Sequence, residues 1–298
     1  MPTPTSPNDS LTDANPKPLA WITGSAGLIG SYFLQIAAKS APGWRVRGLT
    51  RHDFDLLDFG AVHREFLVDN PQLIIHCAAV STIAATEANP SLARQLNVEL
   101  TNVLSELAEE IRFVLFSTDV VFDGTKGNYN ETDAVNPLHR YGETKVNAEL
   151  LVLRNPKHLV VRTSVNGGIS RTGNRGFNEQ IRRAQESGKM MNLFTDEFRS
   201  AIPAAETARA VWELANKNCT GIYHVAGATR LSRWDIGQLL AKRWPELAAN
   251  IQPASAKDYP GPVRALDTSL NITKAQHALT TPLPGLGEWL AANPHEPF

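Results

Sequence analysis

Leu19-Ala20-Trp21-Ile22-Thr23-Gly24-Ser25-Ala26-Gly27-Leu28-Ile29-Gly30 joins a short apolar run to three glycines spaced three apart. The run reads as a buried strand, and Ser31 to Lys39 continues at helical spacing. Between a strand and a helix, such glycines let the backbone approach a pyrophosphate, and the helix N-terminus offers it unpaired N–H groups. The spacing is G-x-x-G-x-x-G rather than the commoner G-x-G-x-x-G. In isolation it also suits a turn with no ligand. Its place at the head of an alternating series favours the binding reading.

That series extends outward from the turn. Trp44 to Thr50 predicts a second strand, Phe59 to Asp69 a helix, and Gln72 to Val80 a third strand. Pro90 to Ile111 predicts a long helix, Phe113 to Ser117 a strand, Tyr141 to Arg154 a helix and His158 to Thr163 a strand. Short apolar runs alternating with helical stretches imply an α/β fold, a Rossmann-type doubly wound parallel sheet covered on both faces. Beyond residue 165 the pattern loosens. Gly167 to Gly176 reads as a loop, with helices at Phe177 to Ser187, Ala204 to Lys217 and Arg233 to Trp244, and a strand at Ile222 to Val225. The expected organisation is a disordered tail over 1–18, a dinucleotide-binding domain over 19–165, and a smaller C-terminal α/β substrate lobe over 166–298 interleaved with the first.

Composition narrows the function classes. The chain has 298 residues, 42% hydrophobic and 20% charged, enough to bury a sizeable core. Its 29 basic and 30 acidic residues give a net charge of −1, which argues against a nucleic-acid partner held by bulk electrostatics. No apolar run approaches the roughly 18 residues of a membrane span. Two cysteines make no disulfide framework; Cys77, inside an apolar run, reads as a buried thiol. With no secretory pattern at the start, a cytoplasmic location is expected. The eight histidines lack an H-x-x-x-H spacing, so no protein-held metal is expected.

The second strand bears on the cofactor. It ends Gly48-Leu49-Thr50-Arg51, about 20 residues past the last glycine. An acid there binds the ribose 2′-hydroxyl of NAD, whereas an arginine suits the 2′-phosphate of NADP. Arg51 therefore favours NADP, with Asp53 near enough to keep NAD as the alternative. Asp55-Leu56 is placed to set a carboxylate against the adenine amino group.

Tyr141-Gly142-Glu143-Thr144-Lys145 lies on an expected helix, where positions i and i+4 share a face. A phenol with a pKa near 10 is a poor acid–base group at neutral pH. An adjacent ammonium is expected to lower that pKa, so that Tyr141 protonates a carbonyl oxygen as hydride arrives at carbon. Lys145 also suits a nicotinamide ribose. The strand ending Ser117-Thr118-Asp119 offers a hydroxyl where parallel sheets place ligands. Asn97, mid-helix, reads either as a kink or as part of a proton relay.

Together Gly24-x-x-Gly27-x-x-Gly30, His76-Cys77-Ala78-Ala79, Asn97-Val98, Ser117-Thr118-Asp119 and Tyr141-x-x-x-Lys145 resemble an extended short-chain dehydrogenase/reductase. Within that superfamily, Phe116-Ser117-Thr118-Asp119-Val120-Val121-Phe122-Asp123-Gly124, Pro137 to Lys145, Asp53 to Asp58 and Arg162-Thr163-Ser164 resemble the dTDP-4-dehydrorhamnose reductase family. The resemblance implies Thr118, Tyr141 and Lys145 as a catalytic triad. It implies a cofactor groove of Gly24, Ser25, Gly27, Leu28, Ile29, Gly30, Arg51, Asp55, Leu56, Ala78, Ala79 and Lys145, holding NADP or NAD. It further implies substrate contacts at Ser81, Asp119, Val120, Arg199 and Arg264, a nucleotide sugar as substrate, and a homodimer as a possible assembly.

Departures from the family pattern cluster late in the chain. Val165-Asn166-Gly167-Gly168 stands where the family carries aromatics, and Ser269 where it tends to carry Arg. Val120 replaces the Glu that related dehydratases use, so elimination is disfavoured and a simple carbonyl reduction is expected. The alternative is a non-catalytic NADP-binding protein resembling the regulatory subunit of methionine adenosyltransferase.

Overall fold

The structure is a computed structural model describing residues 16–296 and 298; all but the last three residues of the expected tail lie outside the described residues. The elements of the first half are β1 (Leu19–Thr23), α1 (Leu28–Ser40), β2 (Arg45–Leu49), α2 (Phe59–Asp69), β3 (Leu73–His76), α3 (Ile83–Ala88), α4 (Pro90–Arg94), α5 (Leu100–Leu107), β4 (Arg112–Thr118), α6 (Arg140–Val152) and β5 (Leu159–Thr163). Then come β6 (Asn166–Gly167), α7 (Phe177–Glu186), β7 (Met191–Phe194), β8 (Phe198–Arg199), β9 (Ile202–Pro203), α8 (Ala204–Asn216) and β10 (Gly221–Val225). β11 (Leu231–Ser232), α9 (Arg233–Arg243), β12 (Ile251–Ala254), α10 (Thr273–Ala278) and α11 (Leu286–Ala292) complete the chain.

Six strands form one sheet in the order β10-β5-β4-β3-β1-β2, every pair parallel. The apolar runs become its centre: β1, β3 and β5 are buried throughout. Strand alternation divides their side chains between two faces. Ala20, Ile22, Leu73 and Ile75 join a cluster with Leu28 and Phe33 of α1 and Val211 and Trp212 of α8. Leu19, Trp21 and Ile74 join a second with Val62 of α2, Leu100 and Leu104 of α5 and Val152 of α6. The sheet is therefore doubly covered, as the alternation implied.

β10 comes from the C-terminal half yet closes the edge of this sheet beside β5. That half has its own apolar cluster, with Phe177 and Ile181 of α7, Leu193 of β7, Ile236 and Leu240 of α9, and Trp289 and Leu290 of α11. The elements missing from the sequence reading are α3, the four-residue strands β7 and β12, the helices α10 and α11, and the two-residue strands β6, β8, β9 and β11, the last four too short to show any period.

The topology locates the site. Strand order reverses between β1 and β3, and ligands of such sheets sit at the carboxyl ends beside that switch. The tips there end in Thr23, Leu49, His76 and Thr118.

Candidate active site

Gly24 takes φ +66°, a left-handed conformation, and a Cβ there would stand 2.7 Å from the backbone nitrogen of Ala78. A Cβ at Gly30 would overlap the backbone of Gly24 and Ser25. Glycine at these positions thus packs the turn against the tip of β3 and the start of α1. Gly27 is the N-cap of α1 and supplies no side-chain cap, and no acid occupies the first turn. The first N–H groups, of Leu28, Ile29 and Gly30, are left for an anion. Ser25 does not point outward; its hydroxyl donates to the Leu49 carbonyl (3.2 Å).

At the tip of β2, the Asp53 carboxylate accepts from the Thr50 N–H and the Thr50 hydroxyl, both at 2.8 Å. These bonds hold its pKa below the usual range. Asp53 is thereby engaged in its own turn, and Arg51 stands exposed beside it. Asp55 is exposed and accepts from Leu57 N–H (3.0 Å). Leu56 is 8% exposed within the second apolar cluster, so its side chain serves packing.

Across the groove, the Thr23 hydroxyl sits 2.7 Å from His76 Nδ1 and accepts from the Ala78 N–H (3.2 Å). His76 is held neutral, its pKa pushed down to about 3 by burial and then by the Lys145 charge. Ala78 and Ala79 are half-buried, and Ser81 is exposed.

The long helix expected from Pro90 to Ile111 contains a π-turn, Gln95–Glu99, between α4 and α5. Asn97 lies at the centre of this turn and is fully buried. Its side chain accepts from Val80 N–H (2.8 Å) and donates to Val80 O (3.1 Å) and to the Thr144 hydroxyl (3.0 Å). Thr144 in turn donates to the Tyr141 carbonyl (2.8 Å). Asn97 thus clamps the segment after β3 to the first turn of α6. Such π-turns are frequent where a site is built.

That first turn carries Tyr141. It approaches the turn that follows β4 closely because Gly142 has no side chain: a Cβ there would meet the Val120 carbonyl. Thr118, the last residue of β4, donates to Asp119 Oδ1 (3.3 Å) and accepts weakly from Val120 N–H (3.4 Å). Burial pushes the Tyr141 phenol up to about 12; hydrogen bonding to Thr118 opposes the rise and the Asp119 charge adds to it. The expected lowering by Lys145 is therefore corrected. Loss of water outweighs any help from the ammonium, and Tyr141 is protonated at neutral pH. Lys145, 2% exposed, is itself pulled down to about 8 by burial, with Glu149 and then Cys77 acting in the opposite sense. Burial keeps the Cys77 thiol protonated.

Asp119 is turned away from the groove by the second lobe. Its Oδ2 accepts from the Ser164 (2.7 Å) and Thr268 (2.9 Å) hydroxyls and pairs with Arg199 Nε at 3.6 Å. Arg199 is 4% exposed; it also bridges Glu197 (3.0 Å) and donates to Phe198 O (2.6 Å). Every guanidinium nitrogen of Arg199 thus faces a protein oxygen. Glu197, a residue the sequence reading missed, is wholly buried among Arg199, Arg233 and Arg264, which hold its carboxyl down to about 2. Arg264 and Arg233 are partly exposed and keep guanidinium nitrogens without a hydrogen-bond partner on Glu197. No motif marked Glu197, because two of its three arginine partners, Arg233 and Arg264, are distant in the chain. Among the described residues, no cluster of three or more His, Cys, Asp or Glu could hold a metal. No helix there is long and apolar enough to cross a membrane.

A parallel sheet with a glycine turn at its switch point, and a strand-tip hydroxyl beside Tyr-x-x-x-Lys, defines a Rossmann-type protein of the extended short-chain dehydrogenase/reductase kind. The chain belongs to the family described as the RmlD substrate binding domain, whose model matches residues 20–292. It is 29% identical over 290 residues to the probable low-salt glycan biosynthesis reductase Agl14 of Haloferax volcanii, covering 92% of this chain and 96% of that protein. It is 28% identical to methionine adenosyltransferase 2 subunit beta of Bos taurus, covering 86% and 80% respectively. Among solved structures, a dTDP-4-dehydrorhamnose reductase from Bacillus anthracis in complex with NADP has the same fold, with a TM-score of 0.83 at 21% identity over 93% of this chain and 98% of that one.

Proposed function

We propose that this chain is an NADPH-dependent reductase that delivers hydride to a carbonyl carbon, the 4-keto group of a deoxysugar nucleotide being the preferred substrate. The observation that carries the reading is the Tyr141 phenol beside the Thr118 hydroxyl at the end of β4, with Lys145 one helical turn further along α6. NADPH supplies the hydride. The N-terminus of α1 binds its pyrophosphate, Arg51 its 2′-phosphate and Lys145 its nicotinamide ribose. Thr118 polarises the carbonyl and Tyr141 donates the proton to the oxygen, so a phenol that stays protonated to high pH suits reduction rather than oxidation. Arg264 and Arg233, with nitrogens free on the second lobe, are the contacts for a diphosphate. Arg199 is not, because Asp119, Glu197 and Phe198 occupy it.

The family and the reductases among its relatives support this reading. The similarity to methionine adenosyltransferase 2 subunit beta supports a second one, an NADP-binding regulatory protein without turnover. Mixing the protein with NADPH and a panel of 4-keto deoxysugar nucleotides separates them. The reductase reading expects loss of absorbance at 340 nm. Tight NADPH binding with no oxidation across the panel favours the regulatory one.

A further inference from the structure

Asp119 directly follows Thr118 in the chain, yet the reaction outlined above gives it no part. It is 5% exposed, and its two oxygens are used unequally. Oδ2 accepts from the Ser164 hydroxyl at 2.7 Å and the Thr268 hydroxyl at 2.9 Å, and Arg199 Nε stands 3.6 Å away. Among the described residues, Oδ1 accepts from the Thr118 hydroxyl alone, at 3.3 Å. That is long for a hydroxyl donor, whose bonds cluster near about 2.7–2.8 Å. The strong contacts of the carboxylate thus lie toward the second lobe, and its weak one toward Thr118.

The groups on Oδ2 are themselves fixed. Ser164 follows β5 and accepts from the Ser200 N–H (3.2 Å). Thr268 is fully buried, and Arg199 is anchored by Glu197. A hydroxyl has one proton to give. In the proposed reaction Thr118 gives it to the carbonyl oxygen, but a carboxylate is a stronger acceptor than a neutral carbonyl. An Asp119 with no other partner would take that proton and leave the carbonyl to Tyr141. Donors on Oδ2 share the negative charge and weaken Oδ1 as a rival.

We propose that Asp119 is a restrained competitor for the Thr118 proton, and that Ser164 and Thr268 are positioning residues that restrain it. The inference rests on the reductase reading, in which Thr118 donates to the carbonyl. Removing either hydroxyl therefore slows the chemical step and leaves ground-state binding in place.

The test is Thr268→Val, which keeps the shape of the side chain. Full-length wild type and variant are compared with NADPH and a 4-keto deoxysugar nucleotide that wild type reduces. kcat falls about fivefold, while KM for the ketone and the dissociation constant of NADPH stay within about twofold. Ser164→Ala gives a loss of the same kind, and takes the place of Thr268→Val if that variant has a lowered thermal midpoint. The deciding arm repeats the substitution in a Thr118→Val background, where no hydroxyl proton is left to compete for. There the further loss in kcat vanishes. A structural role for Thr268 would cost the same factor in both backgrounds. An unchanged kcat, or a loss that persists without the Thr118 hydroxyl, overturns the inference and leaves the reductase reading intact. Absence of NADPH oxidation by wild type across the ketone panel sinks both.

Discussion

Tyr141 illustrates how far a single residue's chemistry depends on its surroundings. One turn of helix set it beside an ammonium, and spacing alone implied a lowered pKa. The folded protein gives the opposite direction, because enclosure of the phenol costs its charged form more than neighbouring groups return. In the proposed reaction the proton is therefore in place when a carbonyl arrives. Tyr141→Phe is expected to lower kcat by about a hundredfold or more while NADPH binding stays within a factor of about three. Steady-state kinetics with fluorescence titration check both halves. At the tip of β2, Arg51→Ala is expected to weaken NADPH about tenfold, the loss of one strong charge-assisted contact, and to leave NADH nearly unchanged. Equal losses for the two cofactors would assign Arg51 to the adenosine or to the fold.

At the scale of elements, the break in the long helix is the instructive case. Apolar spacing from Pro90 to Ile111 showed one helix, and a helix it nearly is. The π-turn at Gln95–Glu99 leaves no trace in that spacing, because it changes the register by one residue without changing which residues are apolar. Asn97 was its only mark. Of the two readings open for it, the break in the helix is what the structure displays: its amide clamps Val80 and Thr144, and so the start of α6. Asn97→Ala removes three buried hydrogen bonds and is expected to cost about 2 kcal/mol of stability, measured by urea unfolding. Because α6 then loses its anchor near Tyr141, kcat should fall further than KM rises. The strand–helix alternation of the first half was legible because each central strand is an apolar run buried on both faces. The two-residue strands β6, β8, β9 and β11 were not, since two residues are too few to show an alternation.

For the whole molecule, the question is what joins the two lobes. β10 enters the main sheet, and a line of buried charge runs from Asp119 at the tip of β4 through Arg199 to Glu197, Arg233 and Arg264. Sequence reading named Arg199 and Arg264 but not the acid that organises them. Glu197 has a folded pKa of about 2, below the roughly 4.3 of an unfolded glutamate. Its contribution is therefore fully present above about pH 4.3 and is lost as pH falls toward about 2. Glu197→Gln leaves three arginines facing one another and is expected to cost about 3 kcal/mol or more at pH 7. The deficit should shrink steadily in urea midpoints taken at pH 4 and pH 3. A deficit independent of pH would mean that Glu197 acts through packing and not through its charge.

The proposed reaction takes hydride from NADPH to a carbonyl carbon. Incubating the protein with NADPH carrying deuterium on both faces of the nicotinamide C4, together with a 4-keto deoxysugar nucleotide, measures this directly by mass spectrometry of the product. One deuterium on the former carbonyl carbon, transferred by wild type and nearly absent with Tyr141→Phe, is the predicted result. Bound cofactor with no label in any product, or equal transfer by the Phe variant, would contradict it.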